Sequence, residues 1–422
     1  MHICIFEDEY YRRLLPLTHF RPAYDLRCGQ TTLREKITRA YPDEIFVLHT
    51  RDYLRDTVKE KHTGAYVNEI PKDAERLLLI NGRMLFTPEA LHKFEYRGVD
   101  VAYVDGDALL AVWLSGDNLE SYRNSIGKKL VSAADFAGIE RKETTGSELI
   151  SYPWELVNRN GSELVSDFAA LTRGQPEVLG KVYDGALLLN ASQIHLGKGA
   201  KVKPRAVLDA EKGPIYIARD VEVMPHAFIK GPVFIGEGSV IKAGAKIYEN
   251  TSIGEMCKVG GEVEDSIIHA HSNKQHEGFV GHSYLGEWVN IGAGSNTSDL
   301  KNDYGSVKVY NDGSMVESGL QFVGLTMGDH SKCGINSMFN TGTVVSVCCN
   351  IFGTGSPPKY LPAFSWGEAT SKFLVYRPDK AVEVARRVME RRNVVFTRAD
   401  EELMQKVFEL TVQERDAAGI RS

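Results

Sequence analysis

The sequence predicts an α/β domain followed by a solenoid of short parallel strands and a helical tail. Two observations carry this. From Ile217 onward an aliphatic residue recurs every six positions: Ile217, Val223, Ile229, Ile235, Ile241, Ile247, Ile253 and Val259. Before residue 170, short apolar runs alternate with amphipathic segments. A six-residue period fits neither an α-helix nor the two-residue alternation of an ordinary strand. It fits a short strand plus a turn, repeated so that one aliphatic side chain points inward at each face of a prism. The residue two places earlier is apolar or small, as at Ile215, Val221, Ala227 and Ala245, and Gly236, Gly244 and Gly254 fall at turns. Each inward side chain contributes about 1.5–3 kcal/mol by burial, so stacking of rungs holds the solenoid together.

The same register has an earlier fragment (Leu196, Val202, Leu208) and two later ones: Phe279, Leu285 and Ile291, then Met327, Cys333, Phe339, Val345 and Ile351. Breaks are expected near 209–214, 260–278 and 295–322. In the N-terminal part, strands are expected at Ile3–Phe6, Glu44–His49, Leu77–Asn81, Asp100–Val104 and Leu109–Leu114, with helices over Thr32–Ala40 and Leu54–Lys61. Asp105-Gly106-Asp107 between two apolar strands reads as a turn. After Ile351, Gly353–Pro358 reads as an exit loop and Tyr360–Trp366 as a cap over the open end of the solenoid. Two helices follow, about Asp379–Arg392 and Asp400–Ala417. The expected division is 1–175, 176–356 and 357–422.

At 422 residues, the chain exceeds one hydrophobic core. A formal net charge of −6 without a basic run argues against nucleic acid as a partner. No apolar stretch approaches the roughly 18 residues of a membrane span. The first strand begins at once, without the layout of a secretion signal, so a cytoplasmic location is expected. Six cysteines form no CxxC pair, and buried free thiols in a reducing compartment are the expected state.

The richest stretch for chemistry holds His269, His271, Lys274, His276 and His282 within fourteen residues, then Val289-Asn290-Ile291-Gly292-Ala293-Gly294 and Ser298-Asp299-Leu300-Lys301. Imidazole suits a general base because its pKa lies near working pH. Zinc ligation by the histidines is a competing reading, with no cysteine nearby.

These residues resemble the acetyltransferase half of the bifunctional enzymes that make UDP-N-acetylglucosamine, the GlmU family. The hexapeptide pattern likewise resembles the left-handed parallel β-helix, whose members are generally homotrimers with sites between subunits. The family's base precedes the Asn of its Asn-Ile-Gly-Ala-Gly motif by fourteen residues, the separation of His276 from Asn290, so the resemblance implies His276 as base, with His282 as the alternative. It implies Lys242, Lys274, Phe279, His282, Tyr284 and Asn290 as substrate-binding, and Ala293, Asp299, Lys301 and Gly353 as contacts for acetyl-CoA. Phe279 stands where the family has Tyr, and Asp299 where it has Asn.

Leu15–Pro22 and Leu26–Leu33 resemble a divergent bacterial branch of sugar-1-phosphate nucleotidyltransferases, implying a Rossmann-like N-terminal domain. The family's glycine-rich phosphate loop is missing, with Ile5-Phe6-Glu7-Asp8 in its place, and Asn81-Gly82-Arg83 occupies the spot of a Gly-Asp metal ligand. Arg21, Arg27 and Arg83 are then the candidates for phosphate, and Asp8 for Mg²⁺. The expected function is a transferase that acetylates glucosamine-1-phosphate and then transfers a uridylyl group from UTP, in nucleotide-sugar synthesis for the cell wall. The competing readings are a single-activity enzyme with a degenerate N-terminal domain, a nucleotidyltransferase for another sugar-1-phosphate and NTP whose β-helix is not catalytic, and a scaffold without transfer chemistry.

Overall fold

The apolar run Leu77–Ile80 has no polar side to show to water, so it belongs in the middle of a sheet covered on both faces. In the computed structural model, which describes residues 1–87 and 90–421, these side chains are fully buried. The N-terminal sheet has seven strands, in the order Glu140–Glu143, Val101–Asp105, Ala108–Ser115, Arg76–Asn81, His2–Phe6, Ile45–Leu48, Tyr66–Val67. Ala108–Ser115 runs antiparallel to both neighbours and the other pairings are parallel. The carboxyl ends of His2–Phe6, Ile45–Leu48 and Arg76–Asn81 therefore share one edge, where an open α/β sheet usually holds its ligand.

The helix Leu33–Ala40 opens with a capping box, Thr32 accepting from Glu35 N and Glu35 accepting from Thr32 N. A long helix, Pro153–Thr172, was not foreseen from the sequence. It packs against Arg27–Cys28 and against one face of the second domain. Its buried Asp167 accepts from Lys36 Nζ at 2.8 Å, Arg39 Nη2 at 2.6 Å and the Gln30 amide at 2.9 Å. Two glycines permit the close approach: a Cβ on Gly29 (φ +82°) would lie 2.6 Å from Asp167 Oδ2, and one on Gly161 would strike the Asn250 side chain.

From Lys181 the chain winds a left-handed parallel β-helix of three sheets. The first face carries Lys201–Val202, Glu222–Val223, Val240–Ile241, Lys258–Val259 and Asn273–Lys274. The second carries Val207–Asp209, Phe228–Lys230, Lys246–Ile247, Glu262–Glu264 and Phe279–Gly281. The third carries Ile215–Ile217, Val233–Ile235, Thr251–Ile253, Ile267–Ile268 and Tyr284–Leu285. All eight aliphatic residues of the six-residue series are fully buried in one continuous core. Ile229, Ile247, Val263 and Val280 stack directly above one another at separations of 18, 16 and 17 residues. Ile253→Ala is expected to cost about 2–5 kcal/mol, read as a lower denaturant midpoint at unchanged m-value.

The structure corrects two expectations. The stretch 260–278 is a shortened coil rather than a break, with Val263, Ile268 and Lys274 at inward positions. Hexapeptide counting failed there because this coil is shorter and a lysine occupies an aliphatic place. The coils also continue past 356: Tyr360–Leu361 and Ser365–Glu368 pair in register with earlier strands. The expected interruption at 295–322 begins later, because Asn296–Thr297 still pairs in parallel with Met338–Phe339, and it contains the antiparallel hairpin Lys308–Asn311/Ser314–Glu317. Helices Pro378–Glu390, Arg398–Leu410 and Val412–Ala417 close the chain. Among the described residues no helix is long and apolar enough to cross a membrane.

Candidate functional site

A coil of about 17 residues places residues 17 apart above one another at the same corner, and Asp265, His282 and Asp299 have that spacing. The corner between the second and third faces brings them together. His282 Nδ1 lies 2.8 Å from Asp299 Oδ2, and Nε2 lies 3.9 Å from Asp265 Oδ2. Glu264, His282 and Asp299 each offer an atom within 4.8 Å of the others. The Phe322 ring stacks on the imidazole at 5.0 Å and 23°. Phe279 and Asp299 both crowd the position a Cβ on Gly281 would take, so Phe279 belongs to this corner too. Burial pulls the His282 pKa down, but the Asp299 hydrogen bond and the charges of Asp265, Asp299 and Glu264 outweigh it, and His282 titrates above its usual range. Burial and the neighbouring Asp299 and Asp265 raise Glu264.

A carboxylate on Nδ1 fixes the ring and leaves Nε2 to accept a proton, the arrangement of an oriented general base. The segment on either side of Asp299 lines a recess of about 400 Å³ through Ser298, Leu300, Lys301 and Asp303, with Thr341 and Lys359. Burial and Lys301 lower the Lys359 pKa, and Lys301 pairs with Asp303 at 3.1 Å. Asp303 neutralises Lys301, which leaves the Lys359 ammonium as the group in this recess that suits an anion such as a phosphate.

The other residues singled out in this region lie elsewhere. His276 is exposed on the corner between the first and second faces. Lys274, only 2% exposed, turns inward and donates to the His276 carbonyl at 2.6 Å, and burial lowers its pKa to about 8. It anchors the His276 loop rather than offering a free cation. Lys242 lies beside Gly260 near the same corner. Asn290 continues the outward column of Asn273 on the first face, and Arg392 Nη2 donates to Asn273 Oδ1 at 2.7 Å. Tyr284 is buried where the domains meet: its hydroxyl accepts from the Arg27 amide at 2.9 Å and lies 3.1 Å from His269 Nδ1. Ala293 bonds through its carbonyl to the Asn336 amide at 2.7 Å, and Gly353 lies exposed in a turn at φ +80°. The four histidines of the cluster point into different surroundings, and among the described residues only His282 joins a group with metal-ligand geometry. All six cysteines are buried and unpaired.

In the N-terminal domain the acidic pair is spent internally. Glu7 accepts from Arg51 Nε and Nη2, each at 3.1 Å, from Thr50 Oγ1 at 2.9 Å and from the Ala23 amide at 3.0 Å. Asp8 accepts from Arg83 Nε at 2.8 Å, Arg83 Nη2 at 2.7 Å and Asn81 Nδ2 at 2.9 Å. Both Asp8 oxygens are committed to protein donors, so Asp8 does not fit a Mg²⁺ ligand in this arrangement. Arg21 and Arg27 cross to the β-helix: Arg21 Nη2 lies 2.6 Å from Asp329 Oδ2 and 3.3 Å from Glu287 Oε2, and Arg27 Nη2 lies 2.8 Å from both Glu255 oxygens. A separate recess of about 350 Å³ is lined by Tyr10, Arg13, Arg83, Asp105 and Asp107. The Asp-Gly-Asp turn therefore faces a cleft, which local turn chemistry did not signal.

The profile of the sugar nucleotidyl transferase family matches residues 3–176. A bifunctional sugar-1-phosphate nucleotidylyltransferase/acetyltransferase from Sulfurisphaera tokodaii is 34% identical over 143 residues, 33% of this chain and 36% of that protein. A bifunctional GlmU protein from Acidithiobacillus ferrooxidans is 31% identical over 153 residues, 36% of this chain and 32% of its own length. The chain thus spans about a third of those two relatives. A GlmU protein from Methanocaldococcus jannaschii is 29% identical over 389 residues, covering 80% of this chain and 90% of that protein.

Proposed function

We propose that the chain transfers an acetyl group from acetyl-CoA to the amine of a sugar-1-phosphate; the similarity to bifunctional GlmU proteins and the match of residues 3–176 to the sugar nucleotidyl transferase family support this reading. The observation that carries this is the His282–Asp299 pair at 2.8 Å, with the segment around Asp299 lining the Lys359 recess. Neutral His282 donates its Nδ1–H to Asp299, and Nε2 takes the amine proton as nitrogen attacks the thioester carbonyl. The C–N bond forms, the C–S bond breaks, and the imidazolium returns its proton to the departing CoA thiolate. Lys359 would hold CoA phosphate, and Phe322 stacks on the imidazole. His276 remains the second candidate for the base, placed on the neighbouring corner. Acetyl-CoA, an amino-sugar 1-phosphate and an NTP are the proposed partners, in a cytoplasmic homotrimer.

Uridylyl transfer from UTP by the N-terminal domain completes the bifunctional reading. A second reading, in which this domain is a fixed platform without nucleotidyl transfer, is favoured by the burial of Arg21 and Arg27 in pairs to the β-helix and of Asp8 with Arg83. Purified chain with acetyl-CoA and glucosamine-1-phosphate should release CoA thiol. Pyrophosphate release from UTP and N-acetylglucosamine-1-phosphate supports the bifunctional reading, and its absence the platform. No thiol release with any amino-sugar phosphate would overturn acetyl transfer.

A further inference from the structure

The chain leaves the His282 corner at Asp299 and comes back to it at Phe322, and three consecutive returning residues grip the His282–Asp299 pair. The Phe322 ring stacks on the imidazole. The Val323 amide donates to the Asp299 carbonyl at 2.9 Å, and the Gly324 amide donates to the His282 carbonyl at 2.9 Å. Leu300 and Phe322 close the neck of the excursion as an antiparallel bridge. A Cβ on Gly324 would strike the Gly281 carbonyl oxygen, so glycine is what lets the returning strand come this close.

The group that holds this strand from the side belongs to the other domain. The Val323 side chain is buried in a small apolar cluster with Val307, Val309, Val344 and Trp154. The cluster is separate from the main core of the β-helix. Trp154 is its buried member from the N-terminal domain, set at the start of Pro153–Thr172, and Tyr152 stacks on it at 4.4 Å and 7°. The tip of the excursion is tied to the same domain, where buried Asn311 donates from Nδ2 to the Arg13 carbonyl at 2.7 Å. On the opposite side Tyr310 stacks on Tyr360 at 3.7 Å and 16°. A segment wedged in this way, with few apolar contacts of its own, opens locally once its largest contact is removed. Here that contact is the indole, which carries far more apolar surface than the valines around it.

We propose that Trp154 is a positioning residue for the acetyl-transfer corner: by holding Val323 from the N-terminal domain, it keeps Asp299 and Phe322 on His282. The proposal rests on His282 being the base. It gives the N-terminal domain a part in acetyl transfer whether or not that domain transfers a nucleotide. Asp265 and Glu264 face the same imidazole from the preceding coil, outside the excursion, so Asp299 is the charge that the wedge controls.

The test uses the full chain, with histidine-ring NMR following His282 across pH and its resonance assigned through His282→Gln. In Trp154→Ala the His282 midpoint should fall from its raised value towards about 6.5, the ordinary histidine value. The kcat for acetyl transfer should fall by up to about 10²-fold, the size of effect that a small misplacement of reacting groups has. Trp154→Phe should recover most of both. Leu119→Ala opens a cavity in an N-terminal core that holds neither Trp154 nor any residue of the excursion, and it should move neither quantity. An unmoved midpoint in Trp154→Ala would overturn the proposal. An equal fall in Leu119→Ala would do the same, since it would mean general loosening. The NMR reading needs no acetyl transfer, so the two failures are told apart. An unmoved midpoint with an inactive His282→Ala sinks the role of Trp154 alone, whereas a fully active His282→Ala sinks the base assignment and this proposal with it.

Discussion

His282→Ala should lower kcat for acetyl transfer by about 10²–10⁴-fold, the usual contribution of a positioned acid–base group, and by more than His276→Ala does. CoA thiol release measures the rate, and light scattering checks that assembly is unchanged. His282 titrates above its usual range, and in the proposed mechanism the neutral form is the base. Activity should therefore fall as pH is lowered through a value above about 6.5, the ordinary histidine pKa. Asp299→Asn removes the carboxylate charge that stabilises the imidazolium, so the acid limb should move to lower pH while the plateau rate drops. A purely structural Asp299 would change the plateau without moving the limb. An unaltered rate in His282→Ala, with loss in His276→Ala, would return the base to the exposed loop.

Arg21→Met should destabilise the junction between the domains by about 3–5 kcal/mol, because it strands Asp329 in a buried site without its cation and leaves Glu287 only Lys61, 3.7 Å away. Arg21 is 3% exposed, and these two carboxylates are its near partners. Burial, with the Glu287 charge, holds Asp329 up at about 6 against the pull of Arg21. Without the guanidinium, Asp329 gains a further reason to protonate, so the variant should lose least stability at mildly acidic pH and most above neutrality. Adding Asp329→Asn should recover part of the loss, which chemical denaturation at pH 5.5 and 8 would show. A variant as stable as the parent at pH 8 would mean that the N-terminal domain does not depend on this bridge.

The β-helix was readable from the chain because each rung repeats one requirement: an aliphatic residue at an inward position. Ile217 through Val259 satisfy it without exception. The five N-terminal strands and the helices at 33–40 and 55–61 were readable for the same kind of reason, since period and capping are local. The helix Pro153–Thr172 was missed because its buried polar residues, Asn160 and Asp167, blur an apolar stripe. Their partners lie across the domain boundary and in the segment Gly29–Arg39.

The proposed active corner was half readable. His282 and Asp299 stood in the sequence as candidates, but a motif separation of fourteen residues favoured His276. Only the shortened coils reveal that residues 17 apart stack at this corner.

By itself, the sequence determined the prism, the N-terminal sheet and the set of chemically able side chains, because these follow from spacing and residue type. The tertiary structure decided which of those side chains work together. It buried Lys274, turned Arg21 and Arg27 into bridges between domains, and set Asp299 against His282. The reason is that a side chain's charge state and reach depend on what packs beside it, and those neighbours come from coils and domains far away along the chain.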